Sequence, residues 1–183
     1  EKAKNYIKKA VSINPNNIDT LKFAGFIYNT ASEHHDALKY FSKCVSLGCK
    51  DSDLLLTQSN SYVKLHKPAP AKLILDHLRS IRKITPRGLV DLATCVQYMN
   101  QGIEEAIKYC MEAIKMAPNE IDAQMKLGEY MSIIGESSAS SKCYLSIANK
   151  MVGRDYIKFS DNYSNYLLSM NYHDEQDINF KFR

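Results

Sequence analysis

The chain has 183 residues, of which 45% are hydrophobic, and its 24 basic and 20 acidic side chains give a formal net charge of +4. Charges of both signs are interspersed along the chain, a pattern that does not favour a nucleic-acid-binding or membrane-binding surface. No apolar run approaches the roughly 18 residues that a membrane-spanning helix requires, so we expect no membrane partner and no spanning segment.

The stretch 18–51 predicts two helices joined by a short polar turn, which must therefore lie antiparallel. The apolar or small residues at helical spacing are Leu21, Ala24, Gly25 and Tyr28 in the first helix and Ala37, Phe41 and Cys44 in the second. The second helix should end at Gly48 in a left-handed cap. Glycine inside a helix costs about 1 kcal/mol relative to alanine, so we expect Gly25 to allow a close approach of the second helix at Ala37.

The same pattern recurs downstream at intervals of about 34 residues. Two places keep small side chains in every copy, and these are Gly25, Ser59, Thr94 and Gly128 in the first helices and Ala37, Ala71, Ala106 and Ser140 in the second. Before residue 18 only the second half of the pattern is present. We predict a half repeat at 1–17, full repeats at 18–51, 52–86, 87–120 and 121–152, and a helical capping segment at 153–183, where the pattern is lost.

These residues resemble the tetratricopeptide repeat (TPR), a helix-turn-helix motif of about 34 residues. The resemblance covers residues 1 to about 152 and implies an all-α, right-handed solenoid of helical hairpins. Three features depart from the family pattern: no tryptophan opens a repeat, and Cys49 and Lys83 stand where proline is usual. The resemblance implies a scaffold for protein–protein interaction, with a protein or peptide as the partner.

In the TPR family, fixed places of each first helix face a concave groove that holds a peptide. The groove residues that the resemblance assigns here are Asp19, Lys22, Phe26, Leu56, Asn60, Asp91, Tyr98, Met99, Met125 and Glu129. Contiguous exposed apolar surface usually marks a partner site, so we expect an extended or helical segment with apolar anchors to lie there. The family's clamp for chaperone carboxylates is excluded, because only Lys22 matches it.

Acidic residues recur near the start of the first helices and predict a negative stripe along the groove. They are Asp19, Asp53, Asp91 and Asp122. Such a stripe would favour positive charge in the bound segment. The alternative for Asp19, Asp53 and Asp122 is that these acids only interact favourably with the helix dipole.

The tail carries a second resemblance. The segment 164–173 reads Ser-Asn-Tyr-Leu-Leu-Ser-Met-Asn-Tyr-His and is similar to the junction between the TPR array and the catalytic region in O-GlcNAc transferase and SPINDLY-type glycosyltransferases. This similarity implies an alternative function, the substrate-recruiting arm of an intracellular glycosyltransferase whose catalytic domain is not in this chain. The asparagine ladder of those enzymes is missing, since its places hold Phe23, Thr57, Leu92 and Lys126.

Catalytic and metal-site motifs are missing from the sequence, so we expect no active site within the chain, no cofactor and no metal. Cys44 and Cys49 with His34 and His35 match no usual zinc spacing. The number of cysteines, five, is odd, and no two of them form a Cys-x-x-Cys pair. Several fall on inward helix faces, which suits a reducing compartment such as the cytoplasm or nucleus. Self-association into a homodimer through the tyrosine-rich tail or the first helix is a further expectation.

Overall fold

The computed structural model describes residues 2–151 and 164–165, and the regular secondary structure in this part of the chain is α-helical. The helices are α1 (Lys2–Ile13), α2 (Ile18–Thr30), α3 (His34–Ser46), α4 (Ser52–Lys64), α5 (Pro68–Ser80), α6 (Pro86–Tyr98), α7 (Ile103–Met116), α8 (Ile121–Ile133) and α9 (Ser137–Met151). None of them combines the length and hydrophobicity needed to cross a membrane. Most of the predicted capping segment lies outside the described residues.

The chain divides into two compact units between Gln101 and Gly102. In the first unit α1 to α6 pack against their neighbours in sequence, and α4 also contacts α2 and α6. In the second unit α8 packs against both α7 and α9. The division falls inside the predicted repeat 87–120, and the repeat boundaries themselves stay a prediction.

Side-chain caps fix where α2, α4 and α6 begin. The Asn17 carboxamide oxygen accepts a hydrogen bond from the Thr20 amide at 2.8 Å, and the Asp51 carboxylate accepts from two amides at the start of α4. α6 begins at Pro86, the last residue of the predicted repeat 52–86. Thr85 is the N-cap of α6, where its hydroxyl accepts from the Gly88 amide at 3.1 Å, and Pro86 is the first helical residue.

The core of the first unit is made by the face that the sequence pattern predicts. Leu21, Phe41 and Cys44 are fully buried, and Ile7 of α1 packs against the same cluster. α3 ends at Ser46, and Gly48 follows with φ +88°, the predicted left-handed cap. In the next hairpin the fully buried residue is Leu54, whereas Leu55, which the repeat shift predicts, is only half-buried.

Gly25 makes room for an aromatic ring, while the expected close approach at Ala37 stays a prediction. A Cβ atom built on Gly25 would lie 2.9 Å from Cζ of Phe41 and closer still to two other ring atoms. Phe41 comes one helical turn after Ala37 on the same face of α3. The small residue therefore matches a large one, and the fully buried ring of Phe41 lies against α2 at Gly25.

The second unit repeats this arrangement with a looser fit. A Cβ atom on Gly128 would lie 3.1 Å from the Tyr144 ring and 3.3 Å from Cβ of Cys143. The Ser140 hydroxyl donates a hydrogen bond of 2.8 Å to the Gly128 carbonyl oxygen. The two small residues predicted to face each other in this hairpin therefore do so, through a hydrogen bond between α8 and α9.

The five cysteines are free thiols in different environments. Burial raises the pKa of Cys44 to about 11 and those of Cys95 and Cys110 to about 12, whereas Cys49 is only half-buried. Because the thiolate is the reactive form, and burial both raises the pKa of these three thiols and restricts access to them, we expect iodoacetamide to alkylate Cys49 faster than any of the three at neutral pH. Peptide mass spectrometry over time checks this order. The difference should vanish in denaturing urea; equal rates in the native protein would contradict the assignment.

Candidate functional site

A cavity of about 410 Å³ lies in the first unit. It is lined by residues of α2, α4 and α6, which are the first helices of three successive predicted repeats, and by the N-cap of α6. We call this cavity the hollow. Its lining residues are Asn29, Leu56, Thr57, Asn60, Thr85, Arg87, Gly88 and Asp91. Leu56 provides apolar surface, and most of the other side chains are polar or charged.

The first turn of α6 forms one wall because Gly88 lets it lie close to α4. A Cβ atom on Gly88 would come within 3.0 Å of both Leu56 Cδ2 and Ile84 Cγ1. A larger residue there would displace α6 from α4 and change the width of the hollow. The Thr85 cap and the Gly88 contact together fix the start of the helix, and with it the positions of Arg87 and Asp91.

Asp91 is a buried carboxylate, with only 6% of its side chain exposed. Its Oδ2 accepts a hydrogen bond of 2.9 Å from Asn60 Nδ2, while Arg87 Nε lies 3.7 Å from Oδ1. Loss of hydration raises the pKa of Asp91, and the Asn60 hydrogen bond and the positive charges of Arg87 and Lys64 only partly oppose this. Asp91 is therefore buried, whereas Asp19 and Asp53 are exposed, and the negative stripe along the groove stays a prediction.

Asn29 connects two of the walls. Its Oδ1 accepts a hydrogen bond of 2.8 Å from the Ser61 hydroxyl on α4 and lies 3.0 Å from Nδ1 of His34. Burial is the main cause that lowers the pKa of His34, so the neutral ring is favoured at neutral pH. The carboxamide of Asn29 is thus held in one orientation at the edge of the hollow.

Two predicted groove residues of α2 are already engaged within the first unit. The Lys22 ammonium pairs with Asp51, which raises the pKa of Lys22 and lowers that of Asp51, and it lies 5.9 Å from the centre of the Phe26 ring. Phe26 is half-buried and meets Phe41 edge-to-face at 5.5 Å. Neither residue lines the hollow.

The remaining predicted residues lie elsewhere. Tyr98 is 48% exposed at the end of α6, with its ring 5.4 Å from that of His66, and Met99 is the C-cap of the same helix. Met125 and Glu129 belong to α8 in the second unit, where Met125 packs against the buried cluster of Tyr144 and Ile147.

Glu129 is paired with Lys126 at 2.7 Å. Of the ten predicted groove residues, the hollow brings together Leu56, Asn60 and Asp91. A groove that includes all ten residues stays a prediction.

Neither Thr85 nor Arg87 is among the predicted groove residues. Threonine before proline is an N-cap signal, and it could have identified Thr85 as the start of α6. The sequence places Arg87 with Arg79, Arg82 and Lys83 in a basic cluster, interpreted as a solvated helix end, with binding of phosphate or an acidic partner as the alternative. Among the described residues, no cluster of three histidine, cysteine or acidic side chains could hold a metal ion.

Comparison with known proteins identifies the fold. A family model described as tetratricopeptide repeat matches residues 1–17 and 96–120. MamA from Desulfovibrio magneticus RS-1 is similar in structure, with a TM-score of 0.74 at 16% identity over 84% of this chain and 86% of that one. These similarities confirm the predicted all-α fold of TPR-type helical hairpins.

Two further solved structures have the same fold. YrrB, described as a TPR protein with an unusual peptide-binding site, gives a TM-score of 0.69 at 16% identity over 94% of this chain and 87% of that one. The APC/C hetero-tetramer Cut9–Hcn1 contains a chain with a TM-score of 0.73 at 15% identity, over 94% of this chain and 33% of that one. No curated protein matches the sequence.

Proposed function

We propose that the chain is a protein-interaction scaffold and that its first unit holds a peptide segment of a partner protein in the hollow. The observation that carries this proposal is the convergence of three repeated helices on one cavity with both apolar and polar walls. A cavity of about 410 Å³ lies within the size range of ligand sites in proteins. The fold is also consistent with it, because YrrB is described as having a peptide-binding site and Cut9–Hcn1 is a protein complex.

The chemistry of the walls suits an extended segment. Leu56 offers a contact for an apolar side chain, and burying such a side chain contributes roughly 1.5–3 kcal/mol. The carboxamides of Asn29 and Asn60 lie on neighbouring helices, and amide groups can both donate to and accept from a peptide backbone. Because the Asn29–Ser61 and Asn60–Asp91 hydrogen bonds orient these groups in the absence of a ligand, binding has less side-chain freedom to remove.

Charge introduced at Leu56 tests the site. Panning a phage-displayed library of random 12-residue peptides against the parent protein should enrich binders. The change Leu56→Arg should weaken these binders about tenfold or more, since it fills the hollow and removes the apolar contact. Fluorescence polarisation of the resynthesised peptides measures the dissociation constants.

Leu73→Arg is the matched control. Leu73 lies on α5 with 75% of its surface exposed and does not line the hollow. The same charge placed there should leave peptide affinity unchanged. Recovery of no binders, or equal affinity for the parent and the Leu56 variant, would contradict the proposal.

The resemblance of segment 164–173 supports a second proposal, the recruiting arm of a nucleotide-sugar transferase. It rests on the sequence of the tail alone, of which the structure describes only Ser164 and Asn165. Reading the gene downstream tests it: a nucleotide-sugar domain after residue 183 would support the transferase, and a stop codon there would remove it.

A further inference from the structure

The buried carboxylate of Asp91 is compensated by one neutral hydrogen bond and by a guanidinium at a longer distance. Burying a carboxylate is costly unless charged partners and good hydrogen bonds compensate for the lost hydration. Oδ2 has one neutral donor, the Asn60 amide at 2.9 Å. Arg87 Nε is 3.7 Å from Oδ1, well beyond the roughly 2.7–2.9 Å of a charge-assisted hydrogen bond.

Arg87 does not neutralise this carboxylate from within the hollow. Its side chain is 45% exposed, so water screens much of its charge. Lys64, the other cation that acts on Asp91, is exposed at the end of α4. An incoming cation that sheds its water inside the hollow would interact with Asp91 more strongly than either of these solvated groups does.

We propose that Asp91 selects a lysine or arginine side chain of the bound segment, which enters the hollow and donates to Asp91 Oδ1. This inference rests on the proposed function of the hollow as a peptide site and names the side chain that the site accepts. The aliphatic stem of that side chain contacts Leu56, because Leu56 and Asp91 line the same cavity. The exposed carboxylates Asp19 and Asp53, near the starts of α2 and α4, have the sign that attracts such a segment.

The sign of the selected charge distinguishes this proposal from its opposite. If Arg87 were instead the recognition residue, the hollow would select an acidic side chain or a C-terminal carboxylate. The variants Asp91→Asn and Arg87→Gln therefore have opposite expected effects. Asp91→Asn keeps the shape of the side chain and an oxygen that can accept the Asn60 hydrogen bond, so loss of binding would not reflect a lost fold.

The experiment uses peptides enriched by panning the 12-residue library against the parent chain. We expect enrichment of lysine or arginine at one position of the recovered sequences. Replacing that residue by norleucine should weaken binding to the parent about tenfold and leave binding to the Asp91→Asn variant unchanged. Arg87→Gln should raise the affinity of basic peptides, because it removes a like charge from the hollow. Circular dichroism confirms that both variants are folded.

Each result has one meaning. Two outcomes overturn the inference and leave the proposed function in place. In the first, the peptides depend on Leu56 but contain no basic residue. In the second, replacement by norleucine lowers the affinity equally for the parent and for Asp91→Asn. Enrichment of acidic residues, with loss of binding in Arg87→Gln, also overturns the inference in favour of an anion-selecting site. Recovery of no peptide that depends on Leu56 removes the proposed function and this inference together.

Discussion

Gly25→Ala is expected to destabilise the first unit by about 2 kcal/mol, although alanine is the better helix former. The added methyl group would overlap the Phe41 ring, which is fully buried and packed in the core of the unit. The overlap outweighs the gain of about 1 kcal/mol in helix propensity. Urea unfolding followed by circular dichroism measures the loss, and amide hydrogen exchange should locate it in α2 and α3.

A double-mutant cycle with Phe41 separates the steric effect from other consequences of the change. Phe41→Leu alone should cost about 1–2 kcal/mol, because a smaller side chain leaves a cavity. In that background Gly25→Ala should cost nothing or stabilise, since the ring that the methyl group would overlap is gone. The coupling free energy between the two substitutions should therefore be about 2 kcal/mol, in the direction that stabilises the double variant.

Gly128→Ala is the matched control in the second unit. Its added methyl group would lie at 3.1–3.3 Å from the nearest atoms, a tight contact that small shifts relieve. We expect an effect within about 1 kcal/mol of the parent. If Gly25→Ala proved as mild as Gly128→Ala, or Phe41→Leu failed to rescue it, the close packing of α2 on Phe41 would not be a determinant of stability.

The helical periodicity of the sequence predicts the fold because each hairpin buries one regular face. Phe41 and Leu75 lie 34 residues apart, at the spacing that repeat packing requires, and both are fully buried. The pattern does not predict which side chain occupies the space above a glycine. Gly25 was matched to Ala37 on the basis of size, whereas the ring of Phe41, one turn further along α3, lies there.

The site was less predictable than the fold, because exposure depends on neighbouring helices rather than on position within a repeat. Family places assigned Asn60 and Asp91 to the groove, and both do line the hollow. Periodicity carried no sign that Asp91 would be buried under Asn60, or that Lys22 would pair with Asp51. Such pairings depend on side-chain reach between helices, which spacing within one helix does not encode.

Asp91→Asn is expected to raise the stability of the first unit by about 1 kcal/mol at pH 7, because an incompletely paired buried charge is replaced by a neutral group. Burial raises the pKa of the Asp91 carboxyl above its ordinary value of 3.8, despite Arg87 and Lys64. The folded state therefore binds this proton more tightly than the unfolded state does. Stability is lost as pH rises from 3.8 through the folded-state pKa, and the loss is complete above it.

The pH dependence of this gain is the test. The stability advantage of Asp91→Asn over the parent should be largest at neutral pH. It should shrink as pH falls through the raised folded-state pKa toward 3.8, because the folded parent then protonates Asp91. Asp53→Asn is the matched control. Asp53 is exposed in the first turn of α4, where its negative charge interacts favourably with the helix dipole. That variant should lose a few tenths of a kcal/mol at pH 7.

Urea midpoints across this pH range compare the two variants with the parent. A gain in Asp91→Asn that did not depend on pH would show that burial of the charge is not its cause. A more stable variant that no longer prefers basic peptides would mean that the parent retains a destabilising carboxylate because binding requires it.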